Sequence, residues 1–86
     1  MAIVTIRYWA AAKDAAGTSE EKISAETLAT ALDVVRRKHE DNSRFANVLA
    51  CSSFLIDSNP AGRHAAENIM LNEGAVVEVL PAFAGG

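Results

Sequence analysis

The sequence predicts an α+β domain in which one main helix covers one face of a mixed sheet. Three observations predict it. Runs rich in β-branched residues stand near both ends, Ile3–Trp9 and Ala75–Leu80. Between them lies one amphipathic stretch, with Leu28, Ala31, Leu32 and Val35 at i, i+3, i+4 and i+7. No linker, repeat or low-complexity tract divides the 86 residues, so a single core is expected.

In the first run Val4, Ile6 and Tyr8 alternate onto one face, leaving Thr5, Arg7 and Trp9 on the other. The alanine-rich "AAAKDAAG" suits a short helical turn closed by Gly17. Thr18 to Ser24 is a weaker strand anchored by Ile23, expected to pair with the first as a hairpin. Thr27 is placed to cap the helix. Arg36, Arg37 and Lys38 crowd its last turn, where positive charge complements the helix dipole. That basic cluster reads as helix termination on a solvated face or as a contact for an acidic partner.

Residues 41–50 read as a loop or irregular turn that tucks Phe45, Val48 and Leu49 under the core. Ser53–Ile56 is a short strand, and "DSNPAG" after it is dense in turn formers. The stretch 63–71 has no clear period, although Ile69, Met70 and Leu71 should be partly buried. A turn at Asn72–Gly74 leads to the last strand, which Pro81 should end because it cannot donate to a ladder. The first and last strands are the most apolar and should lie side by side in the middle of the sheet.

Composition narrows the function. Half of the residues are hydrophobic and 22% charged, which is ordinary for a folded domain. A net charge of −3 gives no electrostatic footprint for nucleic acid or anionic membrane. The single cysteine, Cys51, suits a reducing compartment. No secretory leader or membrane-length apolar run is seen, so a cytoplasmic location is expected.

Conventional catalytic constellations are missing. The five glycines are too scattered for a phosphate cradle, and His39 and His64 with one cysteine match no zinc spacing. A Cys51–His64 nucleophile pair lacks any local signature, and Cys51 reads instead as a small packed residue. Glu20, Glu21, Glu26, Asp33 and Glu78 read as ordinary surface charge.

What remains is the segment Leu80-Pro81-Ala82-Phe83-Ala84-Gly85-Gly86. Two chance terminal glycines occur in roughly one chain in 200, so the pair needs its context to count. Extended, Ala82 to Gly86 would reach about 17 Å, enough to enter another protein's active site. Glycine has no Cβ to block a narrow channel and adopts whatever φ a partner demands. The α-carboxylate is ionised near neutral pH and a poor electrophile, so another enzyme must activate it. An idle, frayed end would have no reason to carry Phe83.

At these residues the chain resembles the ubiquitin-like sulfur carriers, most closely the branch of molybdopterin synthase small subunits. The resemblance spans Tyr8-Trp9-Ala10, Lys13-Asp14 with Gly17, the helix start at Thr27-Leu28, and the frame from Leu71 to Gly86. Ala75-Val76 stands where the family carries an acidic pair, and Ala82 where it carries a second proline. Ile56-Asp57-Ser58 stands near the family's "VNG".

The resemblance implies a β-grasp domain over residues 1–81, a four- to five-stranded mixed sheet with one main helix, and a flexible Gly-Gly tail over 82–86. It implies that a ubiquitin-activating-type adenylyltransferase joins AMP to Gly86 using ATP. A sulfurtransferase persulfide then converts the adduct to a thiocarboxylate. These covalent states are transient, and no bound cofactor or metal is expected. The tail residues Phe83, Ala84 and Gly85 would lie in the active site of a large subunit, which supplies the catalytic side chains. There the sulfur would pass to cyclic pyranopterin monophosphate to build the molybdopterin dithiolene. Trp9, Leu80 and Phe83 are the candidate apolar anchors at the partner interface, with partial core burial an equal reading for Trp9. Other pathways for such a carrier are cysteine or thiamin-thiazole synthesis. A protein modifier joined to lysines through Gly86, or a plain interaction domain, are the readings from other classes.

Overall fold

The computed structural model describes residues 2–62 and 64–82. Their order is β1 (Ala2–Tyr8), α1 (Ala10–Ala16), β2 (Glu20–Ala25), α2 (Leu28–Lys38), α3 (Ser43–Ala50), β3 (Ser52–Ile56), β4 (Asn59–Pro60), a 3₁₀ turn (Ala66–Asn68) and β5 (Val76–Pro81). The strands form one sheet in the order β2-β1-β5-β3-β4. β1 and β5 pair in parallel at its centre, and the other pairs are antiparallel. This is the mixed β-grasp sheet that the resemblance implies, with the two most apolar strands adjacent.

The alternation in β1 sets the two faces. Val4, Ile6 and Tyr8 are buried, and in β5 Val77 and Val79 join them on the same side. Leu28, Ala31, Leu32 and Val35 of α2 cover that side, each buried as the period predicts. Fully burying one Val or Leu side chain is worth about 1.5–3 kcal/mol, so this stripe dominates the stability of the helix. Thr27 caps α2 by accepting the Thr30 backbone N–H at 3.1 Å.

Several expectations need correction. Most of the stretch 41–50 is not a loop but a helix, α3, over Ser43–Ala50. Asn42 caps it, accepting the Phe45 N–H at 2.9 Å, while Phe45 and Leu49, one turn apart, are buried. The first strand stops at Tyr8, and Trp9 is the cap residue of α1, half exposed. The alanine-rich run is a full seven-residue helix, closed by Gly17 with φ 77° and its N–H on the Lys13 carbonyl. Met70 is exposed, because an isolated antiparallel bridge to Thr27 turns it outward. Cys51 is exposed at the end of α3 and is not a packed core residue.

Part of the expected turn at 57–62 is strand. Asp57 and Ser58 both have positive φ, 50° and 70°, and join β3 to β4 in the pattern of a type I′ hairpin turn. β5 also runs one residue further than expected, since Pro81 pairs with Ser52. Strand alternation aims the missing Pro81 N–H toward β1, which has already turned into α1 there.

Candidate functional site

The site is the end of β5 and what surrounds it. The parallel register sets Thr5 beside Val76, Arg7 beside Glu78 and Tyr8 beside Val79. A last backbone bond, Trp9 N–H to the Val79 carbonyl at 3.3 Å, extends the seam past the strand. On the other side Leu80 pairs with Ser53 and Pro81 with Ser52. The Ala82 N–H then donates to the Cys51 carbonyl at 3.1 Å. Backbone bonds on both flanks thus fix where the chain leaves the sheet.

The face of the sheet away from α2 carries Thr5, Arg7, Val76, Glu78, Leu80, Ser53 and Leu55 by alternation. The Trp9 indole joins this face, because its Nε1–H donates to Glu78 Oε2 at 2.9 Å. Trp9 is 45% exposed and Leu80 half-buried, so both remain available to a partner. The structure therefore brings Trp9 and Leu80 onto one open face at the root of the arm. Glu78, read from the sequence as ordinary surface charge, is the group that orients the indole. Arg7 Nε lies 3.3 Å from Glu20 Oε2 on the same face. Phe83, Ala84, Gly85 and Gly86 lie outside the described residues.

A second polar group was invisible in the sequence. Glu21, also read as surface charge, is mostly covered, with its side chain 14% exposed. Its Oε2 accepts the Tyr8 hydroxyl at 2.7 Å and faces His39 Nε2 at 2.8 Å, and Lys38 Nζ lies 3.5 Å from Oε1. Burial works against its ionisation. The hydrogen bonds from His39 and Tyr8, with the charges of His39 and Lys38, outweigh burial and hold the Glu21 carboxyl below the usual carboxylate range. Burial, followed by the bond to Glu21 and its negative charge, pushes the Tyr8 hydroxyl far above the usual range. The His39 ring also stacks on Phe45, centroids 4.4 Å apart. The cluster therefore joins β1, β2, α2 and α3, and its geometry is that of a structural tie.

The basic end of α2 is largely satisfied internally. Arg36 pairs with Asp33 at 3.2 Å and Lys38 with Glu21, which favours helix termination over a partner contact for those two residues. Among the described residues no hydrogen bond joins Cys51 to His64, and no group of three or more metal-ligating side chains converges. No helix of the described residues is long and apolar enough to cross a membrane.

A sequence profile described as the ThiS family matches residues 6–86. No curated protein sequence matches the chain significantly. Among solved structures the chain is similar to small archaeal modifier protein 1 from Methanosarcina acetivorans, at TM-score 0.83 and 22% identity over 100% of this chain and 98% of that one. It is similar to the protein of the same name from Haloferax volcanii, at TM-score 0.75 and 16% identity over 98% and 99%. A complex of subunits 1 and 2 of the molybdopterin-converting factor from Helicobacter pylori matches at TM-score 0.67 and 19% identity over 98% and 99%. At these identities the likeness establishes the fold.

Proposed function

The chain belongs to the ThiS family and has the fold of the ubiquitin-like sulfur carriers, and from that premise we propose that it carries sulfur on Gly86 as the small subunit of a molybdopterin synthase. The observation that carries this reading is the reach of the family match, which runs through the arm to Gly86. The described residues support it by what they fix: the last strand is held at the sheet centre, and its exit is pinned by Trp9 on one side and Cys51 on the other.

In this reading the Gly86 carboxylate attacks the α-phosphorus of ATP, an acyl-adenylate forms and pyrophosphate leaves. Persulfide sulfur then displaces AMP to give an acyl disulfide. A second thiol attacks the donor's sulfur, forms a disulfide with it and releases the end as a thiocarboxylate. The domain stays outside while the arm enters the large subunit, where sulfur passes to cyclic pyranopterin monophosphate. The chain's own contribution is positional. The Trp9–Glu78 bond sets an apolar anchor beside the arm, and Leu80 adds a second on the same face.

The small-subunit assignment draws on the opening "RYWAAAKDAAG" and on the fold shared with a molybdopterin-converting factor complex. A second reading has support in the modifier proteins that share the fold, namely that Gly86 is joined to lysines of target proteins. The experiment mixes the sulfur-loaded chain with its co-purifying large subunit and the pyranopterin precursor. Consumption of the thiocarboxylate with dithiolene formation supports the synthase reading. Retained sulfur together with lysine-linked conjugates would favour the modifier.

A further inference from the structure

We propose that the notch on the helix side of the arm root receives the rim of the enzyme that activates Gly86, through an apolar side chain flanked by a carboxylate. This rests on the sulfur-carrier reading above and adds a contact to it. The notch holds about 210 Å³ and is lined by Ala11, Asn47, Val48, Cys51, Pro81 and Ala82.

Local sequence explains why the notch exists. Asn42, at the start of α3, donates its side-chain N–H to the Ala15 carbonyl near the end of α1 at 2.7 Å. Ala11, near the start of α1, lines the notch together with Val48 and Cys51 near the end of α3, so the two helices run antiparallel. α1 is built almost wholly of alanine, and its methyl groups do not fill the space between α3 and the end of β5. What remains is a mainly apolar opening whose far wall is the arm root itself, fixed by the Ala82–Cys51 hydrogen bond.

That wall bounds how far away an occupant that also holds Gly86 can lie. The family match continues four residues past Ala82, and four residues span at most about 14 Å. A protein that holds Gly86 in an active site therefore lies within that distance of the notch. Trp9 and Leu80 meet such a protein from the open sheet face, while the notch meets it from the opposite side. The root is thereby gripped on two flanks.

Charge specifies the partner further. Arg44 stands one turn before Val48, exposed, and its side chain forms no hydrogen bond or ion pair among the described residues. A planar guanidinium in that setting fits a carboxylate on the enzyme's rim. Arg44, Asn47, Val48 and Cys51 follow helical spacing and form one stripe, about 10 Å long at ~1.5 Å per residue.

Cys51 is the sole cysteine and is exposed, so it reports on the notch directly. The full chain is treated with iodoacetamide alone and with saturating activating enzyme, and the Cys51 peptide is followed by mass. Alkylation should slow by about tenfold or more in the complex, because a covered thiolate is not attacked. Asn47→Trp, which fills the notch from an exposed position, should raise KM for thiocarboxylate formation about tenfold with kcat little changed. Arg44→Glu should raise KM and reverse its dependence on salt. Unchanged alkylation in a complex that loads sulfur would overturn the proposal, as would an unchanged KM for Asn47→Trp. Faster alkylation of the free chain on Phe83→Ala would make the chain's own arm the occupant and overturn it as well. Failure to load sulfur at all would strike the carrier reading itself, whereas loading with an unprotected Cys51 strikes only the notch.

Discussion

The indole N–H of Trp9 donates to a carboxylate oxygen of Glu78 at 2.9 Å, joining the start of α1 to the last strand across 69 residues of sequence. The bond is exposed, so its net worth to the fold is small, about 0.5–1.5 kcal/mol at most. Its consequence is orientation: an aromatic ring is held at the point where the arm departs. Trp9→Phe keeps an apolar ring and loses the bond, and should cost less than about 1 kcal/mol in a denaturant melt. Trp9→Ala should leave the fold intact and weaken binding to the large subunit by about 2 kcal/mol or more in calorimetry, as the loss of a central aromatic anchor does.

The Glu21 cluster predicts the pH response. The Glu21 carboxyl is lowered in the fold, so its contribution is present above the pKa of the unfolded carboxyl and is lost as pH falls through the folded value. The Tyr8 hydroxyl is raised, so its contribution is complete below the unfolded tyrosine value near 10 and is lost as pH rises beyond it. Glu21→Ala leaves the covered Tyr8 hydroxyl without its acceptor and should cost about 1–3 kcal/mol at neutral pH. The variant should also lose part of the acid dependence of stability, read from melts between pH 3 and 7.

α3 is held by one cap and two apolar side chains. Asn42→Ala removes both the cap on Phe45 and the donor to the Ala15 carbonyl, and should cost about 1–2 kcal/mol. Phe45→Ala empties a fully buried site that also packs against Tyr8 and His39, and should cost about 3–5 kcal/mol. Amide exchange should then accelerate across 43–50 before it does in β1 or β5.

The β3–β4 turn predicts a change of the opposite sign. Ser58 has φ 70°, a conformation that costs a side chain about 1 kcal/mol and glycine nothing. Ser58→Gly should therefore stabilise the protein by up to about 1 kcal/mol, net of the added freedom of the unfolded chain. A thermal melt checks the sign.

Sequence pattern carried the main architecture because its signals are local. The two-residue alternation of Val4, Ile6 and Tyr8 and the stripe from Leu28 to Val35 each lie within one element, and both faces came out as read. α3 was missed because only Phe45 and Leu49 mark its buried face over eight residues. Asn42, three residues before Phe45, was the available cap signal. Met70 was misread because its neighbours Ile69 and Leu71 turn inward while the bridge to Thr27 sends it out. The burial of Glu21 was not legible at all, since it depends on Tyr8 and His39, 13 and 18 residues away. At the site, Trp9 and Leu80 could be chosen by residue type, but the hold of Glu78 on Trp9 and the notch beside Cys51 are made by tertiary contact. The arm residues Phe83 to Gly86 were chosen from the sequence alone.

The most direct test of sulfur carriage is the intact mass of the chain after incubation with its activating enzyme, ATP, a persulfide donor and a thiol that releases the acyl disulfide. The expected result is a gain matching the replacement of one oxygen by sulfur, localised to Gly86 by fragmentation. Deleting Gly86 should abolish it, with thermal stability nearly unchanged. An unchanged mass in the presence of a demonstrably active enzyme would contradict sulfur carriage on Gly86.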